Sequence, residues 1–186
     1  MNVYDFDGTI YDGDSTLDFY KHCLKSHPCI MLLLPKQFYS FVLYKLNRVD
    51  KTQFKETFFC FLKKMADVDD AVFKFWDLHE SKIKTWYKAQ QQQDDVIISA
   101  SPEFLLKEIC KRLNIELLLA SQIEKNTGVF SGKNCYGKEK VNRFYQTFPE
   151  MKIDNFYSDS YSDLPMAKIA EQAYIVRKNE ITPWRF

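Results

Sequence analysis

The first nine residues constrain this chain more than any other stretch. Val3-Tyr4-Asp5-Phe6-Asp7-Gly8-Thr9 opens as an apolar strand and closes on two carboxylates and a glycine turn. Successive strand residues face opposite sides, so Val3, Asp5 and Asp7 point one way while Tyr4 and Phe6 point the other. Two acids therefore meet where a strand ends. In an open parallel sheet ligands bind outside the carboxyl ends of the strands, and a carboxylate pair there can hold a divalent cation, attack an electrophile or pass a proton. A D-x-D-G taken alone is equally a capped turn, so the reading depends on the rest of the chain.

The next convincing strand is Asp94-Asp95-Val96-Ile97-Ile98-Ser99, roughly eighty residues later, whereas a parallel crossover needs about a dozen. The surplus reads as helix over 15–25, 28–46, 51–65 and 68–93, broken by Ser26-His27-Pro28, Asn47 to Asp50 and Ala66-Asp67. Phe54, Phe58, Phe61, Leu62 and Met65 recur at helical spacing and mark one apolar face. An all-helical insertion that folds as its own unit is expected. Beyond Ser99 strand and helix alternate: a helix over 102–113 capped by Ser101, a strand over 115–120, a hairpin or irregular excursion over 123–136, a helix over 138–147, a strand over 153–158, a helix over 164–172 and a last strand over 173–176. This rhythm predicts an α/β fold, a Rossmann-like doubly wound parallel sheet with an all-helical cap inserted after the first strand. The core takes 1–12 and 94–186, the cap 13–93.

Charge excludes some functions. Lysine and arginine nearly balance the acids and leave a net +1, so no basic nucleic-acid face is indicated and an anionic ligand must be drawn by a local site. Five cysteines with no metal-type spacing read as free thiols in a reducing compartment, here cytoplasmic, and no secretory signal is expected. Cys29 to Leu34 and Phe38 to Tyr44 fall short of the ~20 uninterrupted apolar residues of a membrane span. Peripheral contact with a membrane is the second reading of that stretch, after a buried helix pair.

Three further strand ends carry chemistry. Ser99-Ala100-Ser101-Pro102 leads from a strand into a helix N-terminus, whose free amides and dipole, with the Ser99 hydroxyl, suit an anion. Lys140 stands near a helix start, against the dipole preference. Asp159 and Asp163 follow the strand over 153–158; Asp163 has an alternative role as a helix cap, Asp159 has none.

In this order the four segments resemble the motifs of the haloacid dehalogenase-like superfamily: D-x-D-G-T, a strand-end Ser, a Lys and a paired-Asp segment, met by Asp5/Asp7, Ser99, Lys140 and Asp159/Asp163. The stretches 11–16, 98–104 and 157–166 are similar to its phosphoserine-phosphatase-like subfamily IB, which also inserts a helical cap after the first motif. The resemblance implies a phosphomonoester hydrolase in which Asp5 is the nucleophile, forming an aspartyl-phosphate, and Asp7 the general acid and base. It implies Mg²⁺ held by Asp5, the Asp7 carbonyl, Asp159 and Asp163, and a phosphate cradle of Gly8, Ser99, Ala100 and Lys140 that uses the amides of Phe6 and Gly8. Phosphomutase activity and a non-catalytic phosphate-binding role are the alternatives.

Substrate specificity falls on the cap. Asp14 stands near the place where phosphoserine phosphatases carry an acid for the substrate ammonium. The helix that supplies their carboxylate-binding arginine here reads Phe54-Lys55-Glu56-Thr57-Phe58-Phe59-Cys60-Phe61. Phe58, Phe59, Phe61 and Tyr39 suit an apolar or lipid head-group phosphomonoester better than phosphoserine.

Overall fold

The computed structural model describes residues 1–186. The chain runs β1 (Asn2–Tyr4), α1 (Ser15–Ser26), α2 (Leu34–Lys45), α3 (Lys51–Phe59), α4 (Val68–His79), α5 (Thr85–Gln90), β2 (Val96–Pro102), α6 (Glu103–Arg112), β3 (Leu117–Ser121), α7 (Lys138–Thr147), β4 (Ile153–Ser158), α8 (Leu164–Ala167), β5 (Ala170–Arg177) and β6 (Glu180–Pro183). The strands form one sheet in the order β3-β2-β1-β4-β5-β6, parallel except for the last pair. The sheet reverses its winding at β1, the position where open α/β sheets place ligands.

Strand alternation builds two apolar faces. Tyr4, Phe6 and Ile97 join α6 through Leu105 and Ile109 on one side. Val3, Val96, Ile98 and Phe156 join Phe144 of α7 and Met166 of α8 on the other. Helices therefore cover both faces, as the βαβ rhythm requires.

The inserted helices start on explicit caps: the Asp14 carboxylate accepts from Leu17 N, Asp67 accepts from Asp70 N, and Asp50 forms a reciprocal capping box with Gln53. Their apolar faces pack into the same cluster as one side of the sheet. Phe19, Phe61, Phe75 and Trp76 belong to the same apolar cluster as Tyr4, Phe6 and Leu105. Trp76 is the joint: its ring meets Phe6 edge-on at 6.0 Å and its indole N–H donates to the Leu105 carbonyl at 2.7 Å.

Several local expectations change: the helix expected over 68–93 divides into α4 and α5 on either side of Ile83, which bridges to Tyr11. The helix expected over 164–172 stops at Ala167, because residues from Ala170 onward pair with β4, Ala170 opposite Ile153. A sixth strand was not expected: Lys178 takes φ 56° at a tight turn, and β6 folds back antiparallel to β5 as an edge strand that tolerates Pro183. Ser101 does not cap α6. It lies in β2, and Pro102 takes the cap position without a side-chain bond. The 123–136 excursion contributes one antiparallel bridge, Ile123 with Phe130.

Candidate active site

At the carboxyl ends of β1, β2 and β4 a cleft of about 590 Å³ brings together Asp5, Asp7, Ser99, Ala100, Lys140, Asp159 and Asp163 with Asp14, Phe58 and Phe59. Residues more than 150 positions apart in the chain thus line one space. A larger depression, about 770 Å³, lies between Asp69, Lys107 and Lys125 and is lined by none of the cleft's acids.

Lys140 is the centre of the cleft floor. It is 2 % exposed, and its ammonium donates to Asp5 Oδ1 and Asp163 Oδ2, both at 2.7 Å. Burial disfavours the ammonium, yet the two carboxylates together hold its pKa above the ordinary lysine value. Burial pushes the Asp5 carboxyl up to about 7, Lys140 partly offsetting this and Asp163 adding to it. Asp163 occupies the cap position of α8 without capping it. Its side chain turns inward, where Oδ2 also accepts from Ser158 at 2.8 Å and Oδ1 is buried with no hydrogen-bond partner.

Asp7 is held separately. The Ser15 amide donates to its Oδ1 at 2.6 Å and the Ser101 hydroxyl donates to its Oδ2. Burial and the nearby Asp14 raise its pKa to about 6, against the lowering effect of those hydrogen bonds. Ser101 reaches Asp7 because β2 is irregular: its pairing with β3 passes from Ser99–Ala120 to Pro102–Ser121, a bulge that re-aims the intervening side chains. The Ser99 hydroxyl accepts from the Ser101 amide at 3.1 Å and fixes that turn.

The Gly8 amide donates to the Gly13 carbonyl at 2.9 Å, closing the β1 turn. Lys84 ties the same turn down by donating to the Gly8 carbonyl and to Lys178 O. Thr9 accepts from the Asp159 amide at 2.9 Å and sets that acid beside Gly8.

The wall above the acids is both aromatic and basic. Phe41, Phe54, Phe58, Phe59 and Tyr136 share it with Lys51 and Lys55. Phe61 lies fully in the core and Tyr39 faces outward, so neither lines the cleft. Lys55 donates to the Ala100 carbonyl at 2.8 Å and to Asn134 Oδ1 at 3.0 Å, joining α3 to the tip of β2. Burial, with the like charge of Lys51, lowers its pKa to about 8. The sequence reading missed Lys51, Lys55 and Ser101 as site residues. Lys51, Phe54, Lys55 and Phe58 share one helix face by their spacing, which is the signal available for the two lysines; nothing local announces the contact between Ser101 and Asp7.

No three of the chain's Asp, Glu, His and Cys residues converge into a ready metal-binding group; Lys140 stands between two of the acids instead. The donor chemistry nevertheless suits a hard cation. Asp5, Asp159 and Asp163 offer only oxygen, and the buried, unpartnered Oδ1 of Asp163 is an acceptor without a donor.

A parallel α/β sheet with acids at adjacent strand tips and a buried lysine between them defines a hydrolase-type site of the doubly wound folds. Residues 3–168 match the family model of the haloacid dehalogenase-like hydrolases, and the chain belongs to that family. Over 83 residues it is 30% identical to protein CicA of Caulobacter vibrioides, a match that spans 41% of this chain and 37% of that protein. A Bordetella pertussis Tohama I protein of unknown function has a similar structure, with a TM-score of 0.78 at 17% identity over 93% of this chain and 87% of that one. A phosphoserine phosphohydrolase-like protein from Francisella tularensis aligns with a TM-score of 0.58 at 16% identity, covering 93% and 86%. At these identities the two solved structures establish a shared fold.

Proposed function

We propose that this protein is a Mg²⁺-dependent phosphatase that hydrolyses small-molecule or lipid head-group phosphomonoesters through a phosphorylated Asp5. The observation that carries the reading is the division of labour between the first two acids. Asp5 is anchored through one oxygen by Lys140, while Asp7 is held by Ser15 and Ser101 with its pKa near 6.

The free oxygen of Asp5 attacks phosphorus as the bond to the ester oxygen breaks, and Asp7 donates its proton to the departing alkoxide. Asp7 then takes a proton from water, whose oxygen attacks the aspartyl-phosphate. The bond between Asp5 and phosphorus breaks, and inorganic phosphate and the starting carboxylate result. A carboxyl pKa near the working pH serves both proton transfers. Ser99, the Ala100 region and Lys140 bind the non-transferred oxygens, and Lys140 offsets charge in a loose transition state. Asp5, the Asp7 carbonyl, Asp159 and Asp163 would hold Mg²⁺, which supplies charge neutralisation where a carboxylate must approach a phosphate dianion.

Residues 13–93 act in this reading as the cap over the core of 1–12 and 94–186, as in subfamily IB. Phe41, Phe54 and Phe58 favour a substrate with an apolar part. A phosphorylated amino acid is the second reading. Lys51 and Lys55 provide cations for a carboxylate, and Asp14 in the same cleft provides an anion for an ammonium.

The test is phosphate release from a panel of phosphomonoesters, apolar and zwitterionic, with and without Mg²⁺, for the native chain and Asp5→Asn. Turnover that requires Mg²⁺ and disappears in Asp5→Asn is expected. A folded protein that turns over no panel member with Mg²⁺ present would overturn the reading in favour of a mutase or a binding role.

A further inference from the structure

Helix α2 is built inside out. Its buried residues are polar, Gln37 and Ser40. Gln37 accepts from the Tyr20 hydroxyl and donates to the Phe58 carbonyl at 2.8 Å. The opposite side carries Phe38, Tyr39 and Val42, and Leu34 and Phe41 border the buried face; all five are exposed, with Phe38 at 68%. The flanking turns add Met31, Leu32 at 81% and Leu46. Surface helices ordinarily bury the apolar stripe and show the polar one. Scattered exposed apolar residues need no explanation, whereas a contiguous set on one element marks a contact surface.

Charge identifies what it contacts. From Pro28 to Val49, the segment that carries this face, the chain holds Lys36, Lys45 and Arg48 and not one Asp or Glu, with Asp50 beyond it as the α3 cap, within a protein of net charge +1. An apolar face whose own segment carries only cations complements a surface that is apolar within and anionic at its edge, which is a lipid bilayer containing anionic headgroups. A second copy of the chain would bring the same cations against these across a two-fold contact and be repelled. No helix is long and apolar enough to cross a membrane, so the element lies on the surface.

We propose that α2 with its flanking turns docks the protein onto anionic bilayers. Phe41 belongs both to this face and to the cleft wall, where its ring centroid is 5.9 Å from that of Phe54. The cleft therefore borders the docked side. Resting on the phosphatase reading, this makes the substrate class an amphiphilic phosphomonoester whose head reaches Asp5 while its tail stays in the bilayer.

The experiment is co-sedimentation of the full chain with vesicles of phosphatidylcholine alone and of about equal parts phosphatidylglycerol and phosphatidylcholine. Binding to the anionic vesicles is expected, at least tenfold stronger than to the neutral ones and weakened by about 1 M salt through screening. Leu32→Asp with Phe38→Asp, and separately Lys36→Glu with Lys45→Glu, should each lower it at least tenfold. These residues lie outside the cleft, so circular dichroism, the melting temperature and hydrolysis of a soluble aryl phosphate should not change. Equal binding to both vesicle types, binding indifferent to both double variants, or a dimer in sedimentation that Leu32→Asp with Phe38→Asp dissociates would overturn the proposal. Vesicle binding is read without turnover, so docking without hydrolysis would refute only the phosphatase reading, and hydrolysis without docking only the membrane surface.

Discussion

The Asp159 carboxylate occupies the space a side chain on Gly8 would need. A Cβ at Gly8 would fall 2.1 Å from Asp159 Oδ2, and Gly8 itself sits at φ +74°. The glycine of the first motif thus makes room for the acid of the last, across the junction of β1 and β4, and leaves its amide to close the turn.

Gly8→Ala should therefore do two kinds of damage. The left-handed backbone costs about 1 kcal/mol for a residue with a Cβ, and the displaced Asp159 disturbs the cleft. A drop in urea-unfolding stability of about 1–3 kcal/mol with at least tenfold slower turnover is expected; native-like activity would contradict the packing.

Lys140→Met should be more severe. It removes the ammonium shared by Asp5 and Asp163 and leaves two buried carboxylates unpaired. Breaking a buried ion pair costs about 3–5 kcal/mol, and losing a transition-state cation slows turnover about 10²–10³-fold. Chemical denaturation and phosphate release measure the two losses separately.

Asp7→Asn should abolish turnover yet stabilise the fold. The folded pKa of Asp7, about 6, lies above the ordinary aspartate value of 3.8. Between those values the native state binds more protons than the unfolded chain, so this group's contribution to stability falls as pH rises from about 4 to 6 and stays low above. Full burial would make that about 3 kcal/mol. Asp7 is only partly buried, so a gain of roughly 1–2 kcal/mol at pH 7 is expected, vanishing below pH 4. Thermal melts of both proteins across that range decide it.

Lys55 sets an alkaline limit. Its pKa, lowered to about 8 by burial and by Lys51, means that it loses its charge above pH 8 while Lys140 keeps its own. Inhibition by inorganic phosphate should weaken several-fold through that pH. In Lys55→Arg, whose guanidinium stays charged, it should remain flat. Parallel titrations of the two proteins remove the contribution of phosphate's own ionisation. In the native chain the same shift makes folding stability rise between pH 8 and 10.5, because there the unfolded chain holds the proton that the folded one has released.

Much of this was legible in the residues. The β-branched run from Val96 to Ser99 and the acid-tipped Val3 to Asp7 announced adjacent parallel strands, because strand alternation and apolar runs are local properties. The turn signals that end at Asp50 and Asp67 announced two helix starts for the same reason. What sequence spacing missed depends on distant partners. Ser101 reads as a helix cap because that is the commonest local use of a serine before proline; its hydroxyl goes to Asp7, 94 residues away. The helix expected to continue past Ala167 yields to a strand because β4 offers Ala170 to Ile175 a hydrogen-bonded neighbour, which no window of sequence contains.

The sequence by itself determined the α/β class, the long helical insertion after β1, which acids and serine stand at strand tips and that Lys140 opens a helix, since these follow from residue periodicity and turn chemistry. Only the tertiary structure decided that Lys140 lies between Asp5 and Asp163, that the insertion shares the sheet's core through Trp76, and that α2 turns its apolar side outward. Those outcomes depend on which buried groups find partners once the whole chain is packed. A polar group costs free energy to bury unless it is paired, and for Lys140, Gln37 and Ser101 the partner is supplied by a part of the chain too far away for local spacing to register.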